Sequence, residues 1–503
     1  MSDLEPGGAD GASRRDCLRT LGAVAGLAAL GGAGCTRVVG RLLPSRSKND
    51  TGEERPLLTA AAAPIARFFD RAAFGPTRGE SRQFAQTGAA AWLDEQRGAP
   101  GDDSRETPGL LLRLRTLDVV NLSAFDLRDF PDTAVLEQLQ QAAILRAVYS
   151  RFPLRERLTD FWTNHFNIYA RKGYGASFKA VDDLAVIRKH ALGTFPDLLK
   201  ASAHSPAMLS YLDNPNNRSG VANENYAREL MELHTLGVHG GYTQKDVQEV
   251  ARCLTGWTIE DRFLHRRGMF RFDPQRHDAG AKTVLGVSIP AGGGTSDGDR
   301  VLEILAAHPS TARFIASKLV RGFYGEGEAS KAATVRIADV YSRTGGSISA
   351  MLRALLVGTG PYGISSDLIA APPVLKRPFD YLVSAVRVSE AETDGGGPIQ
   401  QHLARMGQPL FQWPMPDGYP DRTAAWTGSL LARWNFAAAL TTGGIEGTGP
   451  DTVWLPKTEL VSAFLPNASR EEQTRLRSVI APFADRLPQA AALLLASPAF
   501  QWR

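Results

Sequence analysis

The chain has 503 residues, with 57 Lys and Arg against 53 Asp and Glu, a formal charge of +4. Hydrophobic residues make up 43% and charged residues 22%, which excludes a disordered polymer, a collagen and a multi-span membrane protein and leaves room for about two to four domains. The pI of about 8.9 raises nucleic acid as a ligand, but lysines and arginines alternate with acids and form no basic stripe, so nucleic-acid binding is set aside.

Residues 1–35 read as an address. Ser13-Arg14-Arg15, with Leu18 and Arg19, precedes the apolar stretch Leu21 to Leu30, which is too short and too weakly apolar for a membrane span. This is similar to a twin-arginine export signal, with Cys17 where Phe is usual. Gly32-Ala33-Gly34-Cys35 resembles the box at which a signal peptidase cuts before a cysteine that becomes lipid-modified, with Gly32 where Leu is preferred. The expectation is passage through the twin-arginine export machinery to a periplasmic location, or to one anchored through Cys35 and facing away from the cytoplasm. Cys17 and Cys35 lie in the leader, so Cys253 is alone in the body and no internal disulfide forms there. Core burial must then supply the stability.

Residues 36–60 are polar and read as a tether to a helical body over 61–503. Helical spacing of apolar residues recurs at 64–73, 80–97, 132–150, 153–165, 179–192, 223–236, 243–255, 298–307, 309–323, 331–343, 347–357, 375–390, 425–440 and 470–499. Two short β-prone runs, Met269 to Phe272 and Thr283 to Val287, read as one small hairpin with a long connection between them. The glycines at 292–294 and 395–397 read as surface loops. The fold class is mainly α, a multi-helical globular domain with a small β-hairpin insertion.

Chemistry-bearing residues cluster in a few segments. In Asn223 to His234, Tyr226, Leu230 and Leu233 share one helical face, while Glu224, Arg228 and Glu232 form an ion-pair ladder on another. Glu229 lies at the edge of the apolar face and His234 within it. Thr243 with Asp246 reads as a near capping box. His165 follows Phe161 and Trp162 on the inner side of its helix, where a hydrogen-bonded core histidine is the bland alternative. His277-Asp278 puts an imidazole beside a carboxylate in the connection between the β runs, with Lys282 four residues on. His165, Glu229 and His277 have the chemistry to hold a divalent metal, although their spacing matches no established metal motif. A phosphate-loop pattern is missing from the sequence. The proline and aromatic run Gly407 to Asp421 forbids regular helix and reads as a lid on the helical core, or as a docking surface.

Several motifs occur in order: Arg71 to Thr77, Phe161 to Phe166, Asn223 to Leu230, Tyr242-Thr243 through Trp257, His277-Asp278 with Lys282, and His308 to Ala312. In these the chain resembles, over about 61–440, the exported bacterial family catalogued as domain of unknown function 1800 (DUF1800). The resemblance implies an envelope system in which members accompany exported sulfatase-like proteins encoded nearby. Two readings follow. In one the chain is an extracytoplasmic hydrolase, with His277 as general base or metal ligand oriented by Asp278, Lys282 steadying a developing anion, and Glu229 and His165 completing the pocket. In the other it is a non-catalytic binding or assembly protein whose polar residues form a buried network.

Overall fold

The computed structural model describes residues 64–98, 103–262, 268–450 and 460–503. The leader with Cys35 and the tether lie outside the described residues. Among the described residues no helix is long and apolar enough to cross a membrane.

Helix starts follow local chemistry. Thr77 and Thr243 each accept from the backbone N–H three residues on, while Glu80 and Asp246 accept from the backbone N–H of those threonines, closing two capping boxes. Pro153, Pro206 and Pro309 occupy first helical positions, where an N–H would be unpaired in any case. The resulting helices bury two large apolar clusters. The first gathers Pro64–Ala72, Arg78–Arg97, Pro153–His165, Gln244–Cys253 and the run of helices between Ser296 and Leu356. In it Phe68, Phe69, Phe84 and Trp92 interlock, mostly edge to face. The second packs Asp132–Tyr149 against Pro378–Val388, Gly397–Arg405, Leu430–Thr442 and Leu487–Ala496. The protein is therefore mainly α-helical, with three small antiparallel strand pairs among the described residues.

Three local expectations change. The β runs do not pair with each other. Trp257–Ile259 (β1) pairs with Phe270–Phe272 (β2), and Lys282–Val284 (β3) folds back on Val287–Ile289 (β4). Leu285 and Gly286 between β3 and β4 both hold positive φ, 49° and 78°, as a tight two-residue hairpin turn of type I′ demands. The third pair joins Glu392–Thr393 (β5) to Thr448–Gly449 (β6). The single helix expected at 470–499 is broken into Arg470–Ile480, Leu487–Ala496 and Pro498–Gln501, because Pro482, Pro488 and Pro498 cannot sit in a helix interior. The glycines at 395–397 lead directly into helix Gly397–Arg405.

Candidate functional site

The environment of His277 is built by three elements. Helix Gln244–Cys253 is followed by a turn at Gly256 (φ 78°), where a Cβ would stand 2.5 Å from the carbonyl oxygen of Asp273. The close approach brings Thr255 against the returning chain. His277 Nδ1 donates to the Thr255 carbonyl at 2.8 Å, because Thr255 Oγ1 spends its own proton on the Arg252 carbonyl at 2.6 Å. Nε2 lies 3.1 Å from Asp297 Oδ2, and Lys282 Nζ lies 2.5 Å from that same oxygen. Lys282 also donates to the carbonyl of Asp278. His277, Lys282 and Asp297 are 7%, 2% and 1% exposed, so this is a buried ionic knot and not a cleft.

Asp278 does not orient His277. His277 has extended backbone, so consecutive side chains leave on opposite sides. Asp278 turns outward and accepts two hydrogen bonds from Arg252, at 2.8 and 3.1 Å. Those bonds hold its carboxyl down at about 2. The carboxylate that reaches the imidazole is Asp297, in the first turn of helix Ser296–Ala307. That helix can lie on Trp257 because residue 298 is glycine; a Cβ there would be 2.2 Å from the indole Cζ2.

His165 is buried elsewhere in the first core. Its Nε2 donates to the carbonyl of His234 at 3.1 Å, and its ring packs among Trp162, Phe166 and Phe195. Burial, followed by the Lys318 ammonium, pushes His165 well below the ordinary imidazole range and His234 down to about 3. Both rings are thus neutral. Glu229 is half-buried just before the π-helical turn Leu230–Thr235 and, among the described residues, makes no hydrogen bond or ion pair. Burial first, then Glu232 and Asp417, raise its carboxyl, while Arg228 lowers it. The ladder on the outer face forms, with Arg228 3.0 Å from Glu224 and 3.7 Å from Glu232. Among the described residues no three His, Cys, Asp or Glu side chains gather as metal ligands would, and His165, Glu229 and His277 stand in three separate surroundings.

The proline and aromatic run lies as a strap across the end of helix Pro153–His165. Asn164 exchanges two hydrogen bonds with the backbone of Tyr419, at 3.0 and 2.7 Å. The Asn167 amide donates to the carbonyls of Trp413 and Met415, and the Tyr211 hydroxyl to that of Pro414. Gly418 (φ 78°) allows the contact, since a Cβ would fall 2.2 Å from the Asn164 carbonyl oxygen. Beside Tyr419 and Leu410 a cavity opens, also lined by Asp160, Thr163, Asn167, Asp183 and the Glu156–Arg188 pair, with room of about 50 Å³ for water-sized occupants. Asp183 begins a π-helical segment, Asp183–Arg188, a geometry found often at functional sites.

The strap, the cavity and both cores fall within one matched span. The family model described as "Protein of unknown function (DUF1800)" matches residues 67–502. The chain belongs to the DUF1800 family. No curated protein and no solved structure matches it. The matched span of this DUF1800 chain runs past the limit near 440 set by the sequence motifs, because the helices from Leu460 to Gln501 complete the second core. Sequence reasoning missed Asp297 and Asp183. Asp297 carried one weak signal, an acid in a helix first turn followed by glycine; Asp183 carried none, since its neighbour Asp182 is equally acidic and pairs with Lys179.

Proposed function

We propose that this DUF1800 chain is an exported envelope protein that acts by binding, alongside an exported sulfatase-like partner, and that His277 and Lys282 hold the fold together instead of doing chemistry. One observation carries the binding reading: every nitrogen of His277 and Lys282 faces a protein acceptor inside the core. A general base needs a lone pair that a substrate or water can reach. The family resemblance supports the export and partner readings, and the paired arginines of the leader support the route.

The contact surface in this reading is the outer side of the strap. Met415 is 56% exposed, Asp417 is exposed, and the unpaired carboxyl of Glu229 lies in the same electrostatic neighbourhood. Exposed apolar area beside unpaired acid suits a basic segment of a partner.

Three measurements test the proposal. The sulfatase-like protein should co-purify with the full chain from the envelope fraction and be lost with Glu229→Lys or Met415→Asp. A stoichiometric transition metal in the purified chain that disappears in His277→Ala would overturn the reading in favour of the hydrolase. Replacing Arg14 and Arg15 together by lysine should leave the chain in the cytoplasm.

A further inference from the structure

Three arginines and three carboxylates form a buried ion-pair network against the cavity beneath the strap: Arg146 with Asp103, Arg155 with Glu106 and Glu156, and Arg188 with Glu156. These charges compensate one another. Asp183 is the fourth carboxylate of this cluster of three guanidiniums: it acts electrostatically on Arg146 and Arg188 without contacting either. It is only 4% exposed, it lines the cavity, and among the described residues its side chain makes no hydrogen bond and no ion pair within 4 Å. Thr163, on the same wall, has a buried hydroxyl with no partner, and the oxygen of the Asn167 amide has no donor among the described residues while its nitrogen serves the strap.

A carboxylate removed from water is strongly disfavoured unless a proton or a cation neutralises it. The cavity decides what that cation can be. Its space of about 50 Å³ admits an ion or one or two waters and excludes a chain-bearing amine. Carboxylate, hydroxyl and amide oxygens are hard donors, and the one carboxylate in excess of the guanidiniums balances one positive charge, whereas divalent ions call for more anionic oxygen. We propose that the cavity beneath the strap binds one monovalent cation of ammonium or potassium size on Asp183, with Thr163 and Asn167 as neutral ligands. Because Asn167 also grips the strap at Trp413 and Met415, occupancy would tighten the strap on helix Pro153–His165.

The test is thermal unfolding of the full chain at constant ionic strength in choline, sodium, potassium and ammonium chloride. The inference expects a midpoint higher by about 2 °C or more in at least one of the small cations than in choline, growing with concentration. Asp183→Asn, which removes the charge at nearly constant volume, should abolish the difference between salts. Thr163→Val should shrink it, and serves if the first variant fails to fold. Equal midpoints in all four salts, or a difference that survives loss of the carboxylate, overturns the inference; the first result together with a more stable Asp183→Asn would show that a proton does the neutralising. None of these readouts depends on a partner protein, so they stand apart from the tests of the binding function.

Discussion

Lys282 Nζ and Asp297 Oδ2 meet at 2.5 Å inside the first core, fifteen residues apart in the chain, with His277 on the same oxygen at 3.1 Å. One carboxylate thus serves two buried nitrogen groups. Removing it leaves a buried ammonium with no counter-charge, which typically costs about 3–5 kcal/mol.

Asp297→Asn should therefore unfold at much lower denaturant than the parent. Asp278→Asn breaks only a partly exposed pair with Arg252 and should cost about 1 kcal/mol or less. Urea titrations of the two variants check the ordering. If Asp278 mattered more, its carboxylate and not that of Asp297 would be the true support of His277.

Acid should weaken the protein through His165 and His234. Both are held below their unfolded range by burial, so below about pH 6.5, and for His234 down to about pH 3, the unfolded chain binds protons that the folded chain refuses. Stability is intact above that window and falls as pH drops through it, by up to about 1.4 kcal/mol per pH unit for each histidine. His234→Gln should flatten the fall between pH 6.5 and 5 relative to the parent. Parallel curves for the two proteins would contradict the assignment.

Burial pushes the Cys253 thiol up to about 12, so little thiolate exists at neutral pH. Alkylation of the native chain, read by mass spectrometry on the peptide containing Cys253, should leave this residue unmodified and label it only after unfolding.

Gly298→Ala places a methyl group against the ring of Trp257. Overpacking of this kind costs about 1–3 kcal/mol, and here it should also move Asp297 away from Lys282. Native-state hydrogen exchange should rise in helix Ser296–Ala307 and in β3 together. Faster exchange in the helix alone would argue that the knot is not coupled to the Trp257 contact.

Much of the fold was legible because its signals are local. Helical periodicity, the Thr243–Asp246 cap and the prolines at helix starts each depend on residues within one turn of one another. The ladder of Glu224, Arg228 and Glu232 was legible for the same reason. The proline breaks after 480 were present in the sequence too, but an uninterrupted apolar pattern outweighed them.

A helical chain with a family signature, and many of its helix boundaries to within a few residues, could be read from residue order, as could which imidazoles and carboxylates were available; the helices Pro108–Leu114, Phe195–Ala203, Pro206–Tyr211 and Gly397–Arg405 could not. The partners of those imidazoles and carboxylates came from packing: Asp297 for His277, the His234 carbonyl for His165, Arg252 for Asp278, and, among the described residues, no hydrogen-bond or contact ion-pair partner for the Asp183 carboxylate. The physical reason is that a buried charge takes its character from whatever lies within about 4 Å, and packing between distant elements, here set by close contacts at Gly256, Gly298 and Gly418, chooses those neighbours.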